Sequence, residues 1–261
     1  MLTKNTDSPK AQADEKLGGK RSVYSILLLL SGIGGYIDAF SCLGLDHVFT
    51  ANMTGNVVLL GIEAVSGDIM SSIRSGIALV GFLLGVVIGW LILNAGRQSW
   101  GQRRRIISAI LIEALTLAVL SAELVLAAKL SEAQVELCIA ISSLAMGVQS
   151  VVARLINIQG VTTTYITGMM VSAVESFLKD FKTTSAGAVV APPKASQWKF
   201  PLAAAVIYIV GALGGAVLTL HLHHWIGVGA LIVVAAVLLI SIIGGRRHRA
   251  VLGQSYQTLT Q

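Results

Sequence analysis

The sequence predicts an all-α membrane protein with six transmembrane helices. They form two inverted three-helix repeats, each with a broken or re-entrant segment after its first helix. Three observations carry that expectation. Hydrophobic residues make up 54% of the 261 positions and charged residues only 12%, where a soluble domain averages about 25% charged. A short polar block interrupts apolar sequence twice, as TANMTG at Thr50–Gly55 and TTYITG at Thr163–Gly168, 113 residues apart. The basic residues collect at the ends of the apolar segments instead of along one face.

The elements follow in order. Residues 1–20 are polar and charged and read as a disordered cytoplasmic tail. A span needs about 20 mostly apolar residues, and the first such segment covers about 22–44. It is too long for a signal-peptide core and lacks a small-residue cleavage site, so it stays in the membrane. A shorter stretch, about 45–66, carries TANMTG, and spans follow at about 71–95 and 106–128. Together they make a first repeat, residues 21–130. The second repeat, residues 131–245, has a span at about 135–156, the TTYITG stretch at about 157–178, and spans at about 200–220 and 225–244. Residues 246–261 are a second cytoplasmic tail. Cys42 and Cys138 fall inside apolar segments and read as small core residues, with no disulfide framework.

Charge decides the topology. With six spans and the N-terminus inside, one side receives the Lys and Arg residues of both tails, Arg97, Arg103–Arg105, Lys179, Lys182, Lys194 and Lys199. The other side receives Arg74 and Lys129. That excess follows the positive-inside rule. Full crossing by the two polar stretches would move Arg97 and Arg103–Arg105 outside, so these stretches are expected to be re-entrant, from opposite faces. Both termini are then cytoplasmic.

Glycine ladders support the duplication. Gly81, Gly85 and Gly89 recur at four-residue spacing in the second span, as do Gly211 and Gly215 in the fifth. Gly85 and Gly211 are 126 apart, as are Gly89 and Gly215, and Phe82 aligns with Tyr208 in that register. Gly34 matches Gly147 at the 113 offset, and Glu63 and Glu175 follow the two blocks at nearly equal distance. Small residues four apart form a flat stripe that lets helices approach closely. Packing within the chain explains them, and homo-oligomerisation stays open.

Asp38 lies inside the first span, and a carboxylate at membrane depth faces a cavity or a partner. It is a candidate proton acceptor or cation ligand, with Glu113 of the third span as a second member of the path. Arg154, near the inner end of the fourth span, is expected to snorkel, with pairing to an acid as the alternative. The blocks supply a neutral substrate set: Thr50, Asn52, Thr54 and Asn56, then Thr163, Thr164, Tyr165 and Thr167. A helix starting after each Thr-Gly pair would aim its N–H groups at the break and favour an electronegative solute. The competing reading is that Thr and Asn only cap these helices. His221, His223 and His224 beside Trp225 read as interfacial residues, not a metal site.

No phosphate loop, zinc-protease helix or nucleophile elbow occurs in the sequence. The expectation is a non-enzyme with no cofactor and no metal. Its partners would be the lipid bilayer and a small-molecule solute, with no nucleic acid, and transport would not draw on its own ATP hydrolysis.

The stretch GGYIDAFSCLGLDHVFTANMTGNVVLLG, Gly34–Gly61, is similar to the YoaK-like bacterial membrane proteins, a domain of unknown function. Their pattern G-x-x-D-A followed by F-x-A-N-M-T-G-N is met by Gly35, Asp38, Ala39, Phe49, Ala51, Asn52, Met53, Thr54, Gly55 and Asn56. The resemblance extends over most of the chain after residue 20. It implies a multi-pass protein of the bacterial inner membrane and no particular substrate. The functional expectation therefore rests on the residues: a secondary transporter or permease of a small solute, with proton or cation coupling. A passive channel with paired re-entrant half-helices, and a membrane sensor or assembly factor without transport, remain as alternatives.

Overall fold

The computed structural model describes residues 9–95, 130–156, 166–185 and 198–221, together with helical positions 111, 115 and 118. Among these residues the chain is all helix. The elements are α1 (Pro9–Gly44), α2 (Met53–Ser66), α3 (Ile69–Ala95), α4 (Glu132–Ile156), α5 (Ile166–Ser185) and α6 (Lys199–His221). Four stretches are long and apolar enough to cross a membrane: Tyr24–Gly44, Ile69–Leu93, Glu132–Arg154 and Lys199–His221. The expected span at 225–244, the tail after it, and nearly all of the one at 106–128 lie outside the described residues. Helix α1 begins at Pro9, ahead of the expected first span. The segment Ala11–Leu17 is rich in Ala, Gln, Glu and Lys, which are strong helix formers.

Helix ends follow local rules. Beyond α1, Asp46 (φ 61°) and His47 (φ 62°) both take the left-handed conformation, which is costly for residues with a side chain. Leu45 N–H bonds the Ser41 carbonyl at 2.9 Å and His47 N–H bonds that of Cys42 at 3.1 Å, so the turn consumes the open carbonyls of α1. Gly67 (φ 81°) ends α2 in the same conformation at no steric cost. Asp68 then starts α3 by accepting the Ser71 N–H at 3.2 Å and its O–H at 2.9 Å.

Each described helix touches its neighbour in the order α5, α6, α1, α4, α3, α2. In the α6–α1 pair, the Tyr24 and Phe200 rings pack at a tilt of 59° with centroids 4.4 Å apart. Further along, Gly211 sits against the Gly32 backbone and Gly215 against that of Tyr36, so the two helices run in the same direction. In the α3–α4 pair, Gly81, Gly85 and Gly89 meet Ala140, Leu144 and Val148 in ascending order, so these too are parallel. At Gly35, Gly85, Gly147, Gly211 and Gly215 a Cβ would collide with a carbonyl of the facing helix. These glycines let backbone touch backbone.

The core lies along α1 and α4, where Leu30, Ile33, Ile37, Phe40, Ile139 and Met146 are buried. The outer faces of α3 and α6 stay exposed and apolar, with Val80, Leu83, Leu84 and Val87 on one and Val206, Ile209, Leu213 and Val217 on the other. Faces this large are stable only against lipid or further helices.

Candidate functional site

The first polar block is held by a carboxylate. After α1 the chain turns at residues 45–50 and comes back alongside the helix it has just left. Asp38, two turns before the end of α1, accepts the Ala51 N–H at 2.8 Å and the Asn52 N–H at 3.1 Å through Oδ1. Its Oδ2 accepts the Tyr208 hydroxyl of α6. Asp38 is 5% exposed, so one buried carboxylate joins α1, the block and α6. Ser41 Oγ donates to the Asp38 carbonyl at 3.2 Å.

Asn56 fixes the returning leg. Its Oδ1 accepts the Phe49 N–H at 2.9 Å and its Nδ2 donates to the Phe49 carbonyl. The side-chain amide thus stands in for the partner strand that an extended residue would otherwise need. The Phe49 ring lies over Gly55, where a Cβ would come within 2.8 Å of it. That contact explains the glycine in TANMTG. Asn52 occupies the N-cap position of α2 but makes no side-chain cap bond, so the cap-only reading does not describe this block.

The far end of α2 returns toward the end of α1. Glu63 accepts the Ser75 hydroxyl of α3 at 2.8 Å. One residue earlier, Arg74 pairs with Asp46 at the turn after α1. The start of α2 is therefore level with Asp38, and its end is level with Asp46.

Among the predicted substrate residues, Thr50 and Asn56 are fully buried beside Asp38's partners, and Asn52 is half-buried. Thr54 and Thr167, equivalent positions of the two blocks, are exposed. Glu113, Thr163, Thr164 and Tyr165 lie outside the described residues. Gly81, Gly85 and Gly89 line α3 against α4, and Gly211 and Gly215 line α6 against α1. In the first half Asp38 itself places a negative charge before α2, on the Ala51 and Asn52 N–H groups.

Tyr208 and Gln149 were not foreseen as site residues. Gln149, fully buried, donates Nε2 to the Leu30 carbonyl at 2.9 Å and so ties α4 to α1. An amide deep in an apolar span and the single phenol of α6 are the signals that point to them. Among the described residues no group of His, Cys, Asp and Glu could hold a metal.

A family model described as "Protein of unknown function (DUF1275)" matches residues 26–244. The chain is 30% identical over 214 residues to "UPF0700 transmembrane protein YoaK" of Bacillus subtilis (strain 168), covering 79% of this chain and 87% of that protein. No solved structure matches it.

Proposed function

The chain belongs to the DUF1275 family and is a transmembrane protein, and from that premise we propose that it is a secondary transporter of a small solute, coupled to protons through Asp38. The observation that carries this reading is the Asp38 latch: one buried carboxylate holds the returning block and Tyr208 together. A buried carboxylate in a span is costly and tends to be retained for a task. When Oδ2 takes a proton from the aqueous side it becomes a donor, and the Tyr208 hydroxyl must turn its own proton away to accept from it. The protonated acid also draws the block's N–H groups less strongly. Protonation then loosens the block from α1 and α6, and release of the proton on the other side closes it again.

The inverted duplication is part of this reading. Exchanging α1 with α4, α2 with α5 and α3 with α6 turns the packing order into its own reverse. Gly35 faces the Tyr208 carbonyl as Gly147 faces that of Phe82, and Gly211 faces Gly32 as Gly85 faces Leu144. On this reading the pairs align α1 with α4 at an offset of 112, which matches Gly147 with Gly35 where the sequence pattern alone matched Gly34. The block helices start at Met53 and Ile166, 113 apart. The re-entrant reading of the first block draws on the contacts that bring the end of α2 back to Asp46 and Arg74. In transporters built this way solute sites lie at the repeat interface near the midplane. The Asp38–Tyr208 pair occurs in one half only, because its counterparts are Ser150 and Phe82.

The test is solute uptake into proteoliposomes with and without an inward proton gradient. Wild type should respond to the gradient, and Asp38→Asn should retain uptake but lose the response. Uptake that ignores the gradient in both proteins would sink proton coupling and favour a passive channel. For topology, a cysteine at position 66 in a Cys42→Ala, Cys138→Ala background should react with an impermeant maleimide from outside. Labelling from the cytoplasmic face alone would overturn the re-entrant arrangement.

A further inference from the structure

We propose that the end of the bundle where α5 stops and α6 begins is a docking surface for anionic phospholipid. Lys199 and Lys179 take the headgroup phosphate, and the Phe177–Trp198 pair receives the glycerol and upper acyl chain. The proposal is independent of the transport reading.

Two helices assemble the surface. Phe177, near the end of α5, meets Trp198, just before α6, edge to face with ring centroids 5.5 Å apart. Lys199 Nζ lies over the Trp198 ring, 5.9 Å from its centroid, within reach of a cation–π attraction. Lys199 is exposed and has no acidic partner among the described residues. Lys179, two residues past Phe177, pairs with Glu175, and both side chains are well exposed. An ion pair in that setting is weak, so it leaves Lys179 able to take a second anion.

Exposure decides the class of partner. Phe177 and Leu178 are 47% and 51% exposed directly before Lys179. On α6 an exposed apolar stripe continues from Lys199 through Leu202, Val206, Ile209 and Leu213, about 20 Å of rise. A soluble anion would use the lysines and leave these apolar groups in water. A phospholipid uses all of them: its chains lie on the stripe, the aromatic rings sit at headgroup level, and the phosphate meets the cations. Charge then selects among lipids. A zwitterionic headgroup brings its own cation to compete for its phosphate, whereas an anionic headgroup arrives with net negative charge. At the far end of the bundle Asp46, Glu63 and Asp68 outnumber Arg74, so the preference belongs to one bilayer surface.

The test uses the full chain with Trp90, Trp100 and Trp225 each replaced by Phe, which leaves Trp198 as its single tryptophan. It is reconstituted in phosphatidylcholine vesicles containing phosphatidylglycerol, with one lipid or the other brominated in its acyl chains. Bromine quenches indole fluorescence on contact, so the two vesicle sets read which lipid lies at Trp198. Phosphatidylglycerol should be enriched there about fivefold over its share of the bilayer, the attraction of roughly one cation at the surface. Lys199→Gln should bring it down to the bulk share, and Lys199→Arg should keep it enriched. Quenching in proportion to bulk composition, or an enrichment that Lys199→Gln leaves unchanged, would overturn the proposal. Loss of the enrichment on adding millimolar inorganic phosphate at constant ionic strength would assign the surface to a soluble anion instead. Native mass spectrometry of the chain with all its tryptophans gives a reading free of those replacements. Lys199→Gln should retain fewer phosphatidylglycerol molecules than wild type and as many phosphatidylcholine molecules, and equal retention of both would overturn the surface.

Discussion

Asn56 shows how much one side chain contributes to the block. Its amide satisfies both backbone groups of Phe49, and removing it leaves them half-buried and unpaired. Asn56→Ala should therefore lower stability by about 2–6 kcal/mol, from an unsatisfied-group cost of about 1–3 kcal/mol each. Thermal unfolding in detergent would measure it, and Thr54→Ala at an exposed position should change little. At this scale the sequence was partly legible. Asp38 was readable because a carboxylate inside an apolar span has no cheap explanation. Its partner Tyr208 was not, because the two lie 170 positions apart and nothing local links them. The block's polar residues looked equivalent on the page, yet the fold buries Thr50 and Asn56 and exposes Thr54.

Among the elements, the glycine seams set how close the helices come. Gly85 touches the backbone of Leu144, and Gly85→Leu should force α3 and α4 apart. The expected loss is about 1–3 kcal/mol or more, visible as a lower melting temperature, whereas Gly76→Ala, with open space around it, should be tolerated. The α2–α3 corner carries a pH signature. The Ser71 N–H and hydroxyl hold the Asp68 carboxyl below the ordinary carboxylate range. A depressed pKa in the folded state gives stability that is present above the unfolded value, about 3.9, and is lost as pH falls through the folded one. Asp68→Ala should thus melt earlier than wild type at pH 7, and the gap should close below pH 4. Apolar length and charge placement made the spans legible. They could not show which helices touch, because the glycine seams join α1 to α6 and α3 to α4 across long stretches of sequence.

For the whole molecule, the packing order implies two bodies. α1 and α6 are welded by glycine contacts, as are α3 and α4, and each pair takes one helix from each half of the chain. Between them, α1 meets α4 over a shorter stretch. Motion is therefore expected across α1–α4. Spin labels at Leu43 and Leu220, both exposed ends of the α1–α6 pair, should report one distance at acid and neutral pH. Labels at Leu43 and Leu137, across α1–α4, should report two populations whose ratio changes with pH. A single fixed distance for both pairs would rule out this motion.

Asp38 also changes what can compete for the start of α2. A carboxylate tethered by its own helix acts at an effective concentration far above that of a dissolved anion, which for short tethers is about millimolar or higher. The helix start thus arrives with its counter-ion already installed. Asp38→Ala should empty that seat, and formate, a free carboxylate of similar size, should refill it. The variant's melting temperature is expected to rise with formate and not with equimolar formamide, while the wild type, its seat taken, should ignore both.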